Sequence, residues 1–176
     1  MEKKQMTTIK KLLFLSTAVA MTLLASGCLH YTMKESSIPK EIKTIRINFI
    51  ENRARYVNPQ LSPQLTERLR QKINNQTNRT LVQNENADFD ISGTVTDYSF
   101  TTAAIADNRS ATNRLNITVH IKLVSRVDEK QSKEEDVTRS FDFDANTSVE
   151  QAQIKLNEDI IKNLSDEIFN RLFSNW

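Results

Sequence analysis

Arg114-Leu115-Asn116-Ile117-Thr118-Val119-His120-Ile121-Lys122-Leu123 alternates polar and apolar side chains without a break. A period of two marks a strand with one buried and one wet face. Leu115, Ile117, Val119, Ile121 and Leu123 share the apolar side; Arg114, Asn116, Thr118, His120 and Lys122 share the other. The same alternation in Thr44-Ile45-Arg46-Ile47-Asn48-Phe49 places Ile45, Ile47 and Phe49 together. Phe89, Ile91, Gly93 and Val95 alternate with Asp88, Asp90, Ser92, Thr94 and Thr96, after which the apolar phase jumps to Tyr98 and Phe100. One extra residue near Thr96 and Asp97 explains that jump as a bulge. Thr80-Leu81-Val82 reads as a short strand, and a last strand near residues 137–143 aims Phe141 and Phe143 at the core. Residues 101–113 are polar and predict a long, exposed, mobile connection.

Two helices complete the pattern. Ser62-Pro63 offers an N-cap with proline at the first helical position. Leu65, Leu69 and Ile73 recur every fourth residue, so a helix is predicted over residues 63–75 and ends at Gln76-Thr77-Asn78-Arg79. Ser148-Val149-Glu150-Gln151 has the form of a capping box. Leu156, Ile160, Ile161, Leu164, Ile168 and Leu172, flanked by Phe169, Phe173 and Trp176, then give one long helix with a broad apolar stripe. Strand, helix, several strands and helix is an α+β order, with both helices covering one sheet face.

The N-terminal part follows other rules. Lys3, Lys4, Lys10 and Lys11 precede an apolar run over residues 12–24, and Ala25-Ser26-Gly27 leads into Cys28, the single cysteine. About 13 apolar residues fall short of the roughly 20 that a spanning helix needs. The arrangement reads as a lipoprotein signal, residues 1–27, with Cys28 as the thiol that carries diacylglycerol and an N-acyl chain. Residues 28–43 then form a lipidated tether, and residues 44–176 the folded domain. Several acyl chains on one residue hold a protein on a membrane far more firmly than one. After Cys28 come Leu29, His30, Tyr31 and Thr32 without an acidic cluster, which favours the periplasmic side.

Charge and residue types narrow the function. The chain has 24 basic and 22 acidic residues; removing the four lysines and one glutamate of residues 1–27 leaves 20 against 21. Such a balance does not suit a nucleic-acid binder, which needs a cationic surplus. Two histidines, His30 and His120, are too few for a histidine-based metal site or triad. With Gly27 and Gly93 the only glycines, a phosphate-cradling loop has no parts. The strand acids Asp88 with Asp90, and Asp142 with Asp144, could pair for glycosidic chemistry, but they read better as solvent-facing solubility devices. No enzyme activity, metal or cofactor is expected.

The order of the motifs carries a resemblance. It runs from the signal and Cys28 through Ser37-Ile38-Pro39-Lys40-Glu41-Ile42-Lys43-Thr44-Ile45, Asn52-Arg53-Ala54 with Val57-Asn58-Pro59, and the helix of residues 65–74. Gly93-Thr94-Val95-Thr96-Asp97-Tyr98, Asn113-Arg114-Leu115-Asn116-Ile117-Thr118-Val119, Ser140-Phe141-Asp142-Phe143-Asp144 and Ile168-Phe169-Asn170-Arg171-Leu172-Phe173-Ser174-Asn175-Trp176 follow. In this order they resemble the lipopolysaccharide-assembly lipoprotein family LptE over nearly all of the chain after Cys28. The resemblance implies a non-enzymatic subunit of the outer-membrane lipopolysaccharide translocon, with two helices packed on one face of a mixed four-stranded sheet. It also implies a place as plug and assembly support of the LptD β-barrel, contact with lipopolysaccharide, and an outer-membrane location on the periplasmic side. On that basis Arg109, Arg114, Lys122 and Arg126 are candidate contacts for lipid A phosphates, since guanidinium pairs bidentately with phosphate. The alternative is a periplasmic-facing lipoprotein scaffold or pilotin for another secretion β-barrel. Metabolic labelling with palmitate is expected to mark the protein and fractionation to find it on membranes; an unlabelled, freely soluble chain would contradict the lipid assignment.

Overall fold

The computed structural model describes residues 38–106 and 109–174, with the backbone alone described at 104–106 and 109–111. Cys28 and Trp176 lie outside the described residues. In chain order the elements are β1 (Thr44–Ile47), β2 (Glu51–Asn52), α1 (Leu61–Thr77), β3 (Thr80–Leu81), β4 (Phe89–Ala106), β5 (Arg109–Ser125), a 3-10 turn (Glu129–Gln131), β6 (Lys133–Asp144) and α2 (Val149–Phe173). The sheet runs β3-β1-β4-β5-β6, with β2 also beside β4. Pairings of β1 with β3, β1 with β4 and β2 with β4 are parallel, whereas β4, β5 and β6 are antiparallel. The expected α+β class holds. The sheet has six strands rather than four because two-residue segments, β2 and β3, also reach hydrogen-bonding register.

The core lies between the helices and the apolar row of the sheet. Leu115, Ile117, Val119, Ile121 and Leu123 of β5 are buried, as are Ile45 and Ile47 of β1, Phe89, Ile91, Val95 and Tyr98 of β4, and Val137 of β6. Leu65, Leu69 and Ile73 of α1, with Ile160, Leu164, Ile168 and Leu172 of α2, close over them. Phe141 and Phe143 are half-buried and pack against this core from the end of β6. Lys72 Nζ reaches Asp166 Oδ1 at 2.7 Å and fixes the two helices to each other. Each buried aliphatic side chain contributes roughly 1.5–3 kcal/mol of transfer free energy, so the cluster dominates stability.

Three local expectations change. Phe49 was expected inside with Ile45 and Ile47, yet it is 54% exposed and Ile50 is buried instead. Ile47 sits opposite Ile91 and Glu51 opposite Thr94, so β1 and β2 use four steps where β4 uses three. That extra residue reverses the side-chain phase, as in a bulge. Gly93 admits Ile50, whose Cγ1 would stand 3.3 Å from any Cβ at that position. The bulge foreseen near Thr96 and Asp97 is present, because Val95 faces Val119 and Asp97 faces Thr118.

Second, α1 begins at Leu61 after Gln60, so Ser62 lies inside the first turn rather than at the cap. Burial of Leu61 draws the helix start upstream, and Asn58 Oδ1 accepts from the Gln60 amide at 3.0 Å. Asn78, in the left-handed conformation at φ 49°, closes α1. At α2, Ser148 Oγ accepts from Gln151 N at 3.3 Å, as the capping pattern predicts.

Third, residues 101–106 and 109–113 belong to strands rather than to a loop. β4 and β5 remain paired as far as Ala106 and Arg109. A polar composition does not prevent a ribbon, since antiparallel pairing satisfies the backbone and threonine favours strands.

Asp88 holds the parallel edge in place. Its Oδ2 accepts from the amides of Lys43 and Thr44 at 2.8 Å each and from Thr44 Oγ1 at 2.9 Å. The Lys43 amide, then that of Thr44, keeps the Asp88 carboxyl below the ordinary carboxylate range. A lowered folded value means the stabilisation is present above about pH 3.9 and is lost as pH falls through the folded value. Asp88→Ala is expected to lower stability in a urea titration at pH 7 by roughly 1.5–3 kcal/mol. The difference from wild type should shrink below about pH 3.9, and an unchanged midpoint at pH 7 would contradict this role.

Candidate functional site

The helices leave one sheet face uncovered by the core, and its polar side chains bond to one another across the strands. Arg46 Nε and Nη2 donate to Asp90 Oδ1 and Oδ2 at 2.9 and 2.8 Å, and Asn48 Nδ2 adds a bond to Asp90 Oδ1 at 2.7 Å. Burial alone would push the Asp90 carboxyl up, but the Arg46 and Asn48 hydrogen bonds outweigh it and leave it lowered. Lys122 Nζ lies 3.4 Å from Glu134 Oε2. His120 Nδ1 is 2.8 Å from Asp136 Oδ1, and its Nε2 is 3.1 Å from Glu134 Oε1. Thr118 and Thr138 share a hydroxyl bond at 3.0 Å, Ser140 Oγ donates to Asn116 Oδ1 at 2.7 Å, and Asn116 Nδ2 donates to Thr101 Oγ1 at 3.2 Å. Arg114 Nε and Nη2 donate to Asp142 at 2.6 and 2.9 Å.

Of the cations singled out from sequence, Arg114, Lys122 and Arg126 are distributed along this face and do not converge. Arg114 and Lys122, eight residues apart on β5, are separated by about 27 Å at strand rise, and each already has an acidic partner. Hydrogen bonding to Asp142 raises Arg114 above its ordinary value and lowers Asp142. Arg126 follows the last residue of β5, donates its amide to Asp88 O at 2.9 Å, and lies close enough to Asp90 to lower it. The Arg109 side chain lies outside the described residues. Pairing was legible only in part: alternation puts Asp136 and Asp142 on this face, but the register of β5 with β6 decides that His120 meets Asp136 and Arg114 meets Asp142. Such a surface offers neutralised, pre-bonded polar groups to another polar surface.

The acids considered for catalysis serve the backbone and the cations. Asp88 holds β1, Asp90 holds Arg46, Asp142 holds Arg114, and Asp144 Oδ1 accepts from Asn146 N at 2.7 Å. They are structural acceptors rather than idle solubility devices. Among the described residues no group of three or more His, Cys, Asp or Glu side chains is placed to hold a metal.

Comparison with known proteins adds to this geometry. A family model described as LptE, lipopolysaccharide-assembly, matches residues 42–172, from the start of the sheet almost to the end of α2. Uncharacterized lipoprotein B from Nitrosomonas europaea is similar at 12% identity, covering 80% of this chain and 84% of that one, with a TM-score of 0.51. Hypothetical protein CT253 from Chlamydia trachomatis is similar at 7% identity, covering 76% and 99%, with a TM-score of 0.50. A minor lipoprotein from Acinetobacter baumannii is 15% identical over 75% and 93%, with a TM-score of 0.49. At these identities the structural likeness concerns the fold alone. No curated protein matches the chain.

His120 gives the face a pH dependence. Its hydrogen bond to Asp136 is the largest influence and raises the imidazole; burial opposes it, and the bond to Glu134 adds to the rise. A raised folded value means that the stabilisation is full below about pH 6.5 and disappears as pH rises through the folded value. An NMR titration of the imidazole is expected to give a midpoint above that of free histidine, and Asp136→Asn to bring it down; an identical midpoint in the variant would remove the assignment.

Proposed function

Because this chain belongs to the LptE lipopolysaccharide-assembly family, we propose that it is the lipid-anchored subunit of the outer-membrane lipopolysaccharide translocon, seated as a plug in an LptD-type β-barrel. The family match across the sheet and both helices is the observation that carries this reading. The uncovered sheet face fits it physically. A large barrel has a polar, hydrated interior, and a face of Thr, Asn, Ser and paired charges meets such a wall through direct and water-mediated hydrogen bonds. Arg46, Arg114 and Lys122 each have an acidic partner there, so docking does not desolvate them as lone ions.

In this reading Cys28 carries the acyl chains and holds the domain at the periplasmic side of the outer membrane. Lipopolysaccharide on its way outward meets the β4–β5 ribbon, where Arg109 and Arg114 offer guanidinium groups, with Lys122 farther along β5 and Arg126 just past its end. A lipid A phosphate would replace Asp142 as the acceptor for Arg114, exchanging one bidentate pair for another.

Capture of the full lipidated chain in detergent, followed by mass identification, tests the proposal. The expected result is a large barrel of the lipopolysaccharide pathway together with bound lipopolysaccharide, and Arg109→Ala combined with Arg114→Ala should retain the barrel while losing lipopolysaccharide. Recovery of a different secretion barrel, or of none, would overturn the reading, and unchanged lipopolysaccharide in the double variant would remove the arginines from it.

A further inference from the structure

Opposite in character to the charged sheet face is a cleft between the N-terminal turns of α1 and α2. It is an open cleft of about 440 Å3, lined by Asn58, Gln60, Glu150, Gln153, Ile154 and Asn157 among others. That volume lies within the usual range of small-molecule sites, roughly 300–1,000 Å3. Four of these side chains are amides, each able to donate and to accept. Several are fixed from behind: Gln153 Nε2 and Asn58 Nδ2 donate to Tyr98 Oη at 3.1 and 3.4 Å, and Asn157 Nδ2 donates to Gln64 Oε1 at 2.7 Å.

Ile154 supplies apolar contact within the cleft, and Tyr56 adjoins it through Gln153. Tyr56 Oη donates to Gln153 Oε1 at 3.4 Å, its ring stacks on Tyr98 with centroids 5.4 Å apart, and 42% of the residue stays exposed. Ile154 is 78% exposed, the highest value of any large apolar side chain among the described residues. Neither exposure is required by the core, which is closed by other residues.

We propose that this cleft binds neutral pyranose sugars. A pyranose presents neighbouring hydroxyls that need donors and acceptors side by side, which the amides and Glu150 provide. It also presents polarised C–H groups, which settle against an aliphatic side chain such as Ile154. Glu150 is the only charged group among the cleft's described lining residues, and its sign excludes phosphate as the preferred ligand. The site thus differs in chemistry and in residues from the cationic positions of β5, and it does not rest on docking within a barrel.

The same pyranose chemistry occurs in the core sugars of lipopolysaccharide and in cell-wall glycan, and two probes separate them. Saturation-transfer NMR on the full-length protein in detergent would use core oligosaccharide, released from lipopolysaccharide by mild acid, and chitotriose. Binding of either supports the site, and the probe that binds identifies the source. Gln153→Ala combined with Asn157→Ala is expected to weaken binding by about tenfold or more, equivalent to about 1.4 kcal/mol. Because Gln153 also supports Tyr98, Ile154→Ser serves as a second variant at an exposed lining position, with an expected several-fold loss. No binding of either probe, or binding untouched by all these variants, overturns the proposal. So does a result in which the variants lose a protein partner and leave sugar binding intact, since the cleft is then a protein interface.

Discussion

The antiparallel register of β4 with β5 is the constraint on which the remaining structure depends. From Phe89 opposite Ser125 to Val95 opposite Val119 it brings two apolar rows onto one side of the pleat, and Asp90, Ser92, Thr94, His120 and Lys122 onto the other. A slip of one residue would exchange the two sides and expose the core. Two irregularities preserve this arrangement. The extra residue at Thr96 returns Tyr98 to the helix side, and the extra step between β1 and β2 does the same for Ile50. Helices α1 and α2 can then cover one face only, because the other has no apolar row to bury.

That asymmetry determines what the molecule can do. The uncovered face is knit by cross-strand pairs, Arg46 with Asp90, His120 with Asp136, Thr118 with Thr138, and Arg114 with Asp142. Groups already satisfied in this way make a suitable polar interface, where specificity comes from the positions of dipoles rather than from a buried apolar patch. Edge strand β6 is protected by the same chemistry. On its helix side Arg139 pairs with Glu167, and Glu135 with Arg171 at 3.5 Å, placing inward charges at an edge that would otherwise attract another strand.

Where local pattern and burial coincide, the sequence was readable. The alternation in β5 and the fourfold spacing of Leu65, Leu69 and Ile73 placed the main strand and the first helix, and the jump from Val95 to Tyr98 revealed a bulge. Phe49 was misplaced because its phase depends on how β1 and β2 align with β4, a relation between residues more than 40 positions apart. Ser62 was misplaced because burial of Leu61 prevailed over a good capping residue. The far part of the β4–β5 ribbon has the composition of a loop, because its polar side chains hide a backbone that pairs with itself. Of the candidate site residues, alternation gave the face but not the partners. The amide cleft escaped altogether, since Asn58, Gln153 and Asn157 come together only through the packing of α1 against α2, and nothing in their spacing announces it.

The proposed role requires that the polar face of the sheet be the one that meets a barrel. Photo-crosslinking measures this directly, with a photoreactive side chain in place of Thr118, at the middle of that face, or of Lys162, exposed on α2. Formation of a barrel adduct from position 118 is the predicted result. An adduct from position 162 with none from position 118 would contradict it.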